Sequence, residues 1–286
     1  MSNITKNFIL TGFLFLAAGV TLGALLTINS VREMLVSSTP GIFLAHSHIN
    51  IFGFIFMVIF GVNYHYIPIF SNRPMYSEKW AGYHFYMMIV GVIGMVIGLA
   101  LLSRAGIVLF AIFEAAGAYL FMFNIIKTFT QKPQIDKEPL KDERYIESDR
   151  IAVRFTRLST PYLILGTTLT IFISLMPDGY IRFRPIIYHT YFLGWISMMI
   201  FGVGYHILPR FADNKIHSLF LMRLNLKLAN IGVAGFVFSW LLGIFFGSAF
   251  LSNLRHPFGI LAASALFIFV YNIWRSVFIR SGHGVK

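Results

Sequence analysis

Long apolar runs, broken only by short charged stretches, constrain this chain more than any other feature. They recur at about 8–29, 41–68, 81–102, 106–129, 158–176, 184–209, 220–246 and 255–279. A run of roughly 20 apolar residues crosses a ~30 Å hydrocarbon layer as a helix. Lipid offers the backbone no hydrogen bonds, so each crossing must be a helix or part of a closed barrel. Barrel strands alternate in polarity and these runs do not. The expected fold is all-α: a polytopic bundle of about eight transmembrane helices. The first run lacks an A-x-A-like cleavage site and others follow it, so it reads as a retained helix.

The net charge of +12 is not a nucleic-acid signal, because of where the charge lies. With the spans threaded in order, only Arg32, Arg104, Arg182, Arg184 and Arg255 fall on the side opposite the N-terminus. The positive-inside rule then places both termini in the cytoplasm, which suits the cytoplasmic membrane of a bacterium. Cysteine is absent. Disulfides, Cys-ligated iron–sulfur clusters and haem attached through C-x-x-C-H are thereby excluded.

The chain repeats itself. His48, Gly53, Gly61, Tyr64, His65 and Pro68 align with His189, Gly194, Gly202, Tyr205, His206 and Pro209 at one offset, which also carries Gly91 and Gly94 onto Gly232 and Gly235. A duplicated four-helix unit is expected, at 1–130 and 158–286, joined by a charged cytoplasmic linker at 131–157. An even number of spans per unit makes the halves parallel repeats.

Nine histidines occur, and ionisable groups within membrane spans are functional-site candidates. His48 and His189 lie at matched depth in the second and sixth spans. Two imidazoles, one from each repeat, suit bis-His ligation of one haem iron. The alternative is that they are hydrogen-bonded within the bundle. Gly53 and Gly194 would let a bulky ring or a neighbouring helix approach the backbone. His46 is two residues from His48 and points roughly 200° away around the helix. It is a candidate for a second haem or metal, against a buried hydrogen bond. His65 and His206 sit at the cytoplasmic helix ends. A second bis-His haem there is disfavoured, because 17 residues rotate a helix face by about 100°; capping roles are expected instead. His84, His217, His256 and His283 are expected near interfaces and without special roles. Glu114, inside the fourth span, is open between a proton relay, a partner for a histidine and a neutral hydrogen-bonded acid.

The segment from His46-Ser47-His48 through Gly61 and His65 to Pro68 resembles the tenth helix of the haem–copper oxidase catalytic subunit. The chain as a whole is similar to short cbb3-type oxidase subunit I-like membrane proteins. The resemblance implies that His46 matches the ligand of the high-spin haem and His48 that of the low-spin haem, with His189 keeping only the low-spin type of position. It implies a b-type haem between His48 and His189, and propionate-binding arginines in the outer loops, where Arg104 and Arg255 stand. The family's copper site needs a His-Pro-Glu-Val-Tyr type segment and an adjacent His pair, which this sequence lacks, so copper and a complete oxygen-reducing centre are not expected.

Three functions follow. The first is a membrane cytochrome b passing electrons, from quinol or a periplasmic carrier protein, as a homo-oligomer or a subunit of a respiratory complex. The second is a nitric oxide- or oxygen-binding haem protein with an open-coordinate iron, for instance at His46. The third is a haem- or metal-handling transporter.

Overall fold

The computed structural model describes residues 1–133, 142–176 and 179–279, with the side chains of 179–182 outside that description. His283 and the side chain of Arg182 therefore lie outside the described residues. The protein is all-α and polytopic. Seven described helices are long and apolar enough to cross a membrane. The expected eighth span, 158–176, is helical, but its threonines and serines dilute its hydropathy. Thr167, Thr170 and Ser174 among them are buried inside the protein.

The chain divides into two compact units, Met1–Gln134 with Thr167–Arg182, and Ile135–Gly166 with Phe183–Lys286. In the first, α1 (Asn3–Leu25) is capped by the Ser2 hydroxyl and is followed by the short α2 (Asn29–Ser38). One continuous helix then comprises α3 (Ile42–His48), a π-helical stretch π1 (Ile49–Phe56) and α4 (Met57–Ser71). It is followed by α5 (Glu78–Ala100) and α6 (Arg104–Thr130). The order then recurs as α7 (Glu143–Ser174) and α8 (Gly179–His189), whose residues 167–174 and 179–182 belong to the first unit, followed in the second by π2 (Thr190–Ser197), α9 (Met198–Phe211), α10 (Leu219–Phe245), the single turn α11 (Ala249–Asn253) and α12 (Arg255–Phe278).

The stretch 143–157, expected as linker, is the first half of α7. Its charges pair along the helix, as in Arg150–Glu147 at 2.6 Å, while Ile151, Ala152, Phe155 and Thr156 form a wholly buried stripe. Spacings of three and four residues on one side of a helix make a core face, which the density of charge around them conceals.

The repeat is carried by structure as well as by sequence. The two π stretches begin directly after His48 and His189 and occupy equivalent positions, 49–56 and 190–197. The third helix of each unit is entered through the same clamp. Asn124 accepts from Ser77 N at 3.1 Å and donates to Ser77 O at 2.8 Å. Asn272 does the same to Ser218, at 3.0 and 2.9 Å. One turn further on, Thr128 Oγ1 accepts from Tyr76 N at 3.0 Å and Ser276 Oγ from His217 N at 2.8 Å. Each clamp satisfies backbone N–H groups at a helix entrance that have no partner within the helix, and adds a second donor to a serine carbonyl already held by the first turn.

The last two helices of each unit cross at bare Cα positions. A Cβ on Gly91 would fall 2.9 Å from Glu114 N, and one on Gly232 would strike Ala262 N. The turn that joins these helices needs a left-handed residue in both units: Gly247 (φ 61°) in the second, and Leu102 (φ 51°) in the first. Leu102 adopts there a conformation that costs a residue bearing a Cβ.

Candidate functional site

His48 ends α3 and is 1% exposed. Its ring stacks on Phe52, centroids 4.3 Å apart and planes 10° apart, which orients it along the π stretch. Its Nε2 lies 2.6 Å from Glu114 Oε1, and Glu114 is itself 5% exposed. Of the readings open for this acid, the geometry selects the histidine partner. Gly91 makes the contact reachable, since α6 brings Glu114 against α5 where a side chain on Gly91 would intrude. The other ring nitrogen of His48, Nδ1, is buried and without a hydrogen-bond partner.

His189 ends α8 and is exposed. Its Nδ1 is 2.7 Å from the Pro185 carbonyl oxygen, an acceptor only, so Nδ1 carries the hydrogen. Nε2 is then the lone-pair nitrogen. The ring is set against Phe236 (5.3 Å between centroids) and the edge of Trp240 (5.6 Å) on α10. Trp240 also carries the guanidinium of Arg255 over its ring, 5.3 Å from the centroid. Trp240 thus joins His189 to Arg255 in one cluster, a link the sequence did not suggest.

Haem iron needs an imidazole with one bare nitrogen and with the other N–H held by an acceptor, which fixes tautomer and ring plane. His189 meets that requirement through a carbonyl, with Nε2 as its bare nitrogen. A haem on His48 would take Nε2, the ring nitrogen that stands clear of the backbone, in place of Glu114. Arg255 is a cation of the kind that pairs with a propionate. Arg104, exposed at the start of α6, donates to the Leu175 carbonyl.

The other candidates are distributed as follows. Gly53 and Gly194 serve helix approach: a Cβ on Gly53 would lie 2.8 Å from the Phe15 ring, and one on Gly194 would run into Tyr162. Of the two readings open for these glycines, a bulky ring or a neighbouring helix, these contacts are of the second kind. His46 faces α1, where a Cβ on Gly23 would lie 2.8 Å from its Cε1, while His48 faces α6. The two-residue spacing does separate them around the helix. Asn50 donates to the His46 carbonyl at 2.8 Å. Among the described residues no group of three or more His, Asp or Glu is arranged to hold a metal ion.

Two histidines expected to be ordinary are not. His84 is 0% exposed, with Nδ1 3.0 Å from the Tyr64 hydroxyl and its ring set among Phe8, Phe60 and Phe121. Tyr64 was legible as a repeat position; its partner on the third helix was not, because no local signal marks a contact between helices. His206 pairs with an acid. Its Nδ1 is 2.7 Å from Asp149 Oδ1, which also takes Arg210 Nη2 at 2.8 Å. His217, in the turn before α10, is held below the usual histidine range by partial burial and by nearby Arg275 and Arg144.

Comparison with known proteins bears on the first unit. Residues 1–131 match the family described as cytochrome c and quinol oxidase polypeptide I. Over those residues the chain is similar to haem–copper oxidase subunit I. The quinol oxidase subunit 1 of Sulfolobus acidocaldarius is 30% identical over 89 residues, covering 29% of this chain and 17% of that protein. The chain thus matches about a sixth of the length of this curated relative. His46, His48 and Glu114 all lie within residues 1–131.

Proposed function

We propose that this protein is an electron-transfer haem subunit of the membrane, in which His48 and His189 ligate one b-type haem. The observation that carries the reading is the matched placement of the two imidazoles, each directly before the π-helical stretch of its own unit. The internal repeat supports their pairing, and the oxidase-like match of residues 1–131 supports haem as the group they hold. Bound there, haem supplies a one-electron carrier. The residues supply the rest. His48 and His189 orient their rings through Phe52, Pro185 and Trp240, and Arg255 supplies positive charge for a propionate. With two imidazoles on the iron no axial position stays open, which favours electron transfer over gas binding. The bias of Lys and Arg supports cytoplasmic termini and a bacterial cytoplasmic membrane. The quinol oxidase relative supports a place in a respiratory complex, with quinol or a periplasmic carrier protein as electron donor.

The test is the reduced-minus-oxidised spectrum of the purified protein. The wild type should give a sharp six-coordinate haem b band that carbon monoxide does not shift. His48→Ala and His189→Ala should each abolish or grossly alter that band, and His217→Ala should leave it unchanged. A band shifted by carbon monoxide would favour the gas-binding alternative. Spectra unchanged by both ligand substitutions would sink the assignment.

A further inference from the structure

Each unit buries the same box of four aromatic rings. In the first it is Phe8, Phe60, Phe121 and Tyr64, with successive centroids 6.2, 4.6, 5.4 and 5.6 Å apart. In the second it is Phe155, Phe201, Phe269 and Tyr205, at 5.8, 4.7, 4.9 and 5.9 Å. The boxes are alike in size but not in content. In the first, the His84 ring lies against all four walls and its Nδ1 is 3.0 Å from the Tyr64 hydroxyl. His84 stands seven residues after the clamp serine Ser77; seven after Ser218 stands Asn225. Asn225 is 0% exposed. Its Nδ2 donates to the Ala265 carbonyl, which can only accept, so the amide's orientation is set. Its Oδ1 is buried without a hydrogen-bond partner in the protein, and so is the Tyr205 hydroxyl. Asn272 stands beside that hydroxyl, but both ends of its amide already serve Ser218.

We infer that the second box is a binding site for a single water molecule, bonded to the Tyr205 hydroxyl and donating to Asn225 Oδ1. The water takes the place of the imidazole nitrogen that meets Tyr64 in the first box. Two observations carry this. The first is polar demand: two buried groups on facing helices each lack a partner, lipid cannot supply one, and a bridging water serves nearly as well as a direct bond. The second is room. Asparagine is two heavy atoms shorter than histidine. Ala265 and Gly117 each lie seven residues before the clamp asparagine, so Ala265 returns one atom. Ala229 stands seven places beyond Met88's neighbourhood in the other repeat, at the position four after Asn225 as Met88 is four after His84, and removes three more. A Cβ on Gly117 would lie against Met88 and the His84 ring, so these positions adjoin the imidazole. Walls of the same spacing thus hold less protein, and a water needs only about 30 Å³ and two to four polar partners. The bridge would tie α9 to α10 as the Tyr64–His84 contact ties α4 to α5. No haem enters this reading, and its failure would leave the proposed function untouched.

Radiolytic hydroxyl-radical footprinting of the full-length chain in detergent decides it. Radicals formed from a bound water oxidise the side chain beside it even where bulk solvent does not reach. Tyr205 and Tyr64 are 1% and 2% exposed, so bulk radicals reach neither and Tyr64 is the control. Tyr205 should be oxidised several-fold faster than Tyr64 in the wild type, a comparison that needs no variant. Asn225→His supplies the imidazole that the first box has. It should displace the water and bring Tyr205 down to the rate of Tyr64. A second measure is the unfolding equilibrium of Tyr205→Phe, Asn225→Leu and their double variant. Side chains joined through one water are coupled, so the double variant should lose less than the two single losses together, by at least about twofold. Equal oxidation of the two tyrosines in the wild type, or strictly additive losses, would overturn the inference.

Discussion

Replacing Asn124 by alanine removes both halves of the clamp on Ser77. The side chain accepts from Ser77 N at 3.1 Å and donates to Ser77 O at 2.8 Å, and Asn124 is 0% exposed. Each bond contributes about 0.5–1.5 kcal/mol net, and a polar group left buried without a partner costs about 1–3 kcal/mol. Ser77 is only partly buried, so its backbone groups recover some hydration and the lower end applies. The expected loss is about 2 kcal/mol, or about 30-fold in the unfolding equilibrium. Asn272→Ala should cost the same, because its two bonds to Ser218 have nearly the same lengths. Asn63→Ala should cost less, since that amide donates only to Ile59 O of its own helix. The assay is titration of detergent-solubilised protein with dodecyl sulfate, followed by far-ultraviolet circular dichroism. Asn124→Ala within about 0.5 kcal/mol of wild type, the usual spread of neutral surface changes, would refute the clamp.

Two further outcomes follow from packing and charge. Gly232→Ala drives a Cβ into the backbone nitrogen of Ala262, which cannot step aside, whereas a Cβ on Gly82 meets nothing within 4 Å. The first should cost about 1–3 kcal/mol and the second should be neutral or stabilise by up to about 1 kcal/mol; equal effects in the same titration would reject the crossing. Glu147 is held below the usual carboxylate range, chiefly by its hydrogen bond to Arg223. A depressed carboxylate stabilises above its unfolded value, and that stabilisation is lost as pH falls through the folded one. Arg223→Gln should therefore lessen the loss of stability on acidification, by at most about 1 kcal/mol for so exposed a pair. A pH profile identical to wild type would contradict that.

Much of the fold was legible because the bilayer restricts what a chain can do. Eight apolar runs could only be helices, and polar, Gly and Pro positions held in register could only be a duplication. The linker was misjudged where charge hid the buried stripe of Ile151, Ala152 and Phe155. Counting charge measures how one segment meets water, while a core face depends on what packs against it. His84 was underrated for the same reason: nothing in its own segment announces the Tyr64 hydroxyl or the ring of phenylalanines around it.

From its sequence alone the chain declares itself a duplicated helical membrane protein and singles out His48 and His189. Both conclusions rest on hydropathy and spacing, which are local and periodic. Only the tertiary structure decided that Glu114 holds Nε2 of His48, that Pro185 holds Nδ1 of His189, and that Gly53 and Gly194 admit neighbouring helices. The physical reason is directional. A hydrogen bond selects one nitrogen of a ring at under 3 Å, and the partner across a helix crossing is set by how close two backbones come, which no spacing along a single segment encodes.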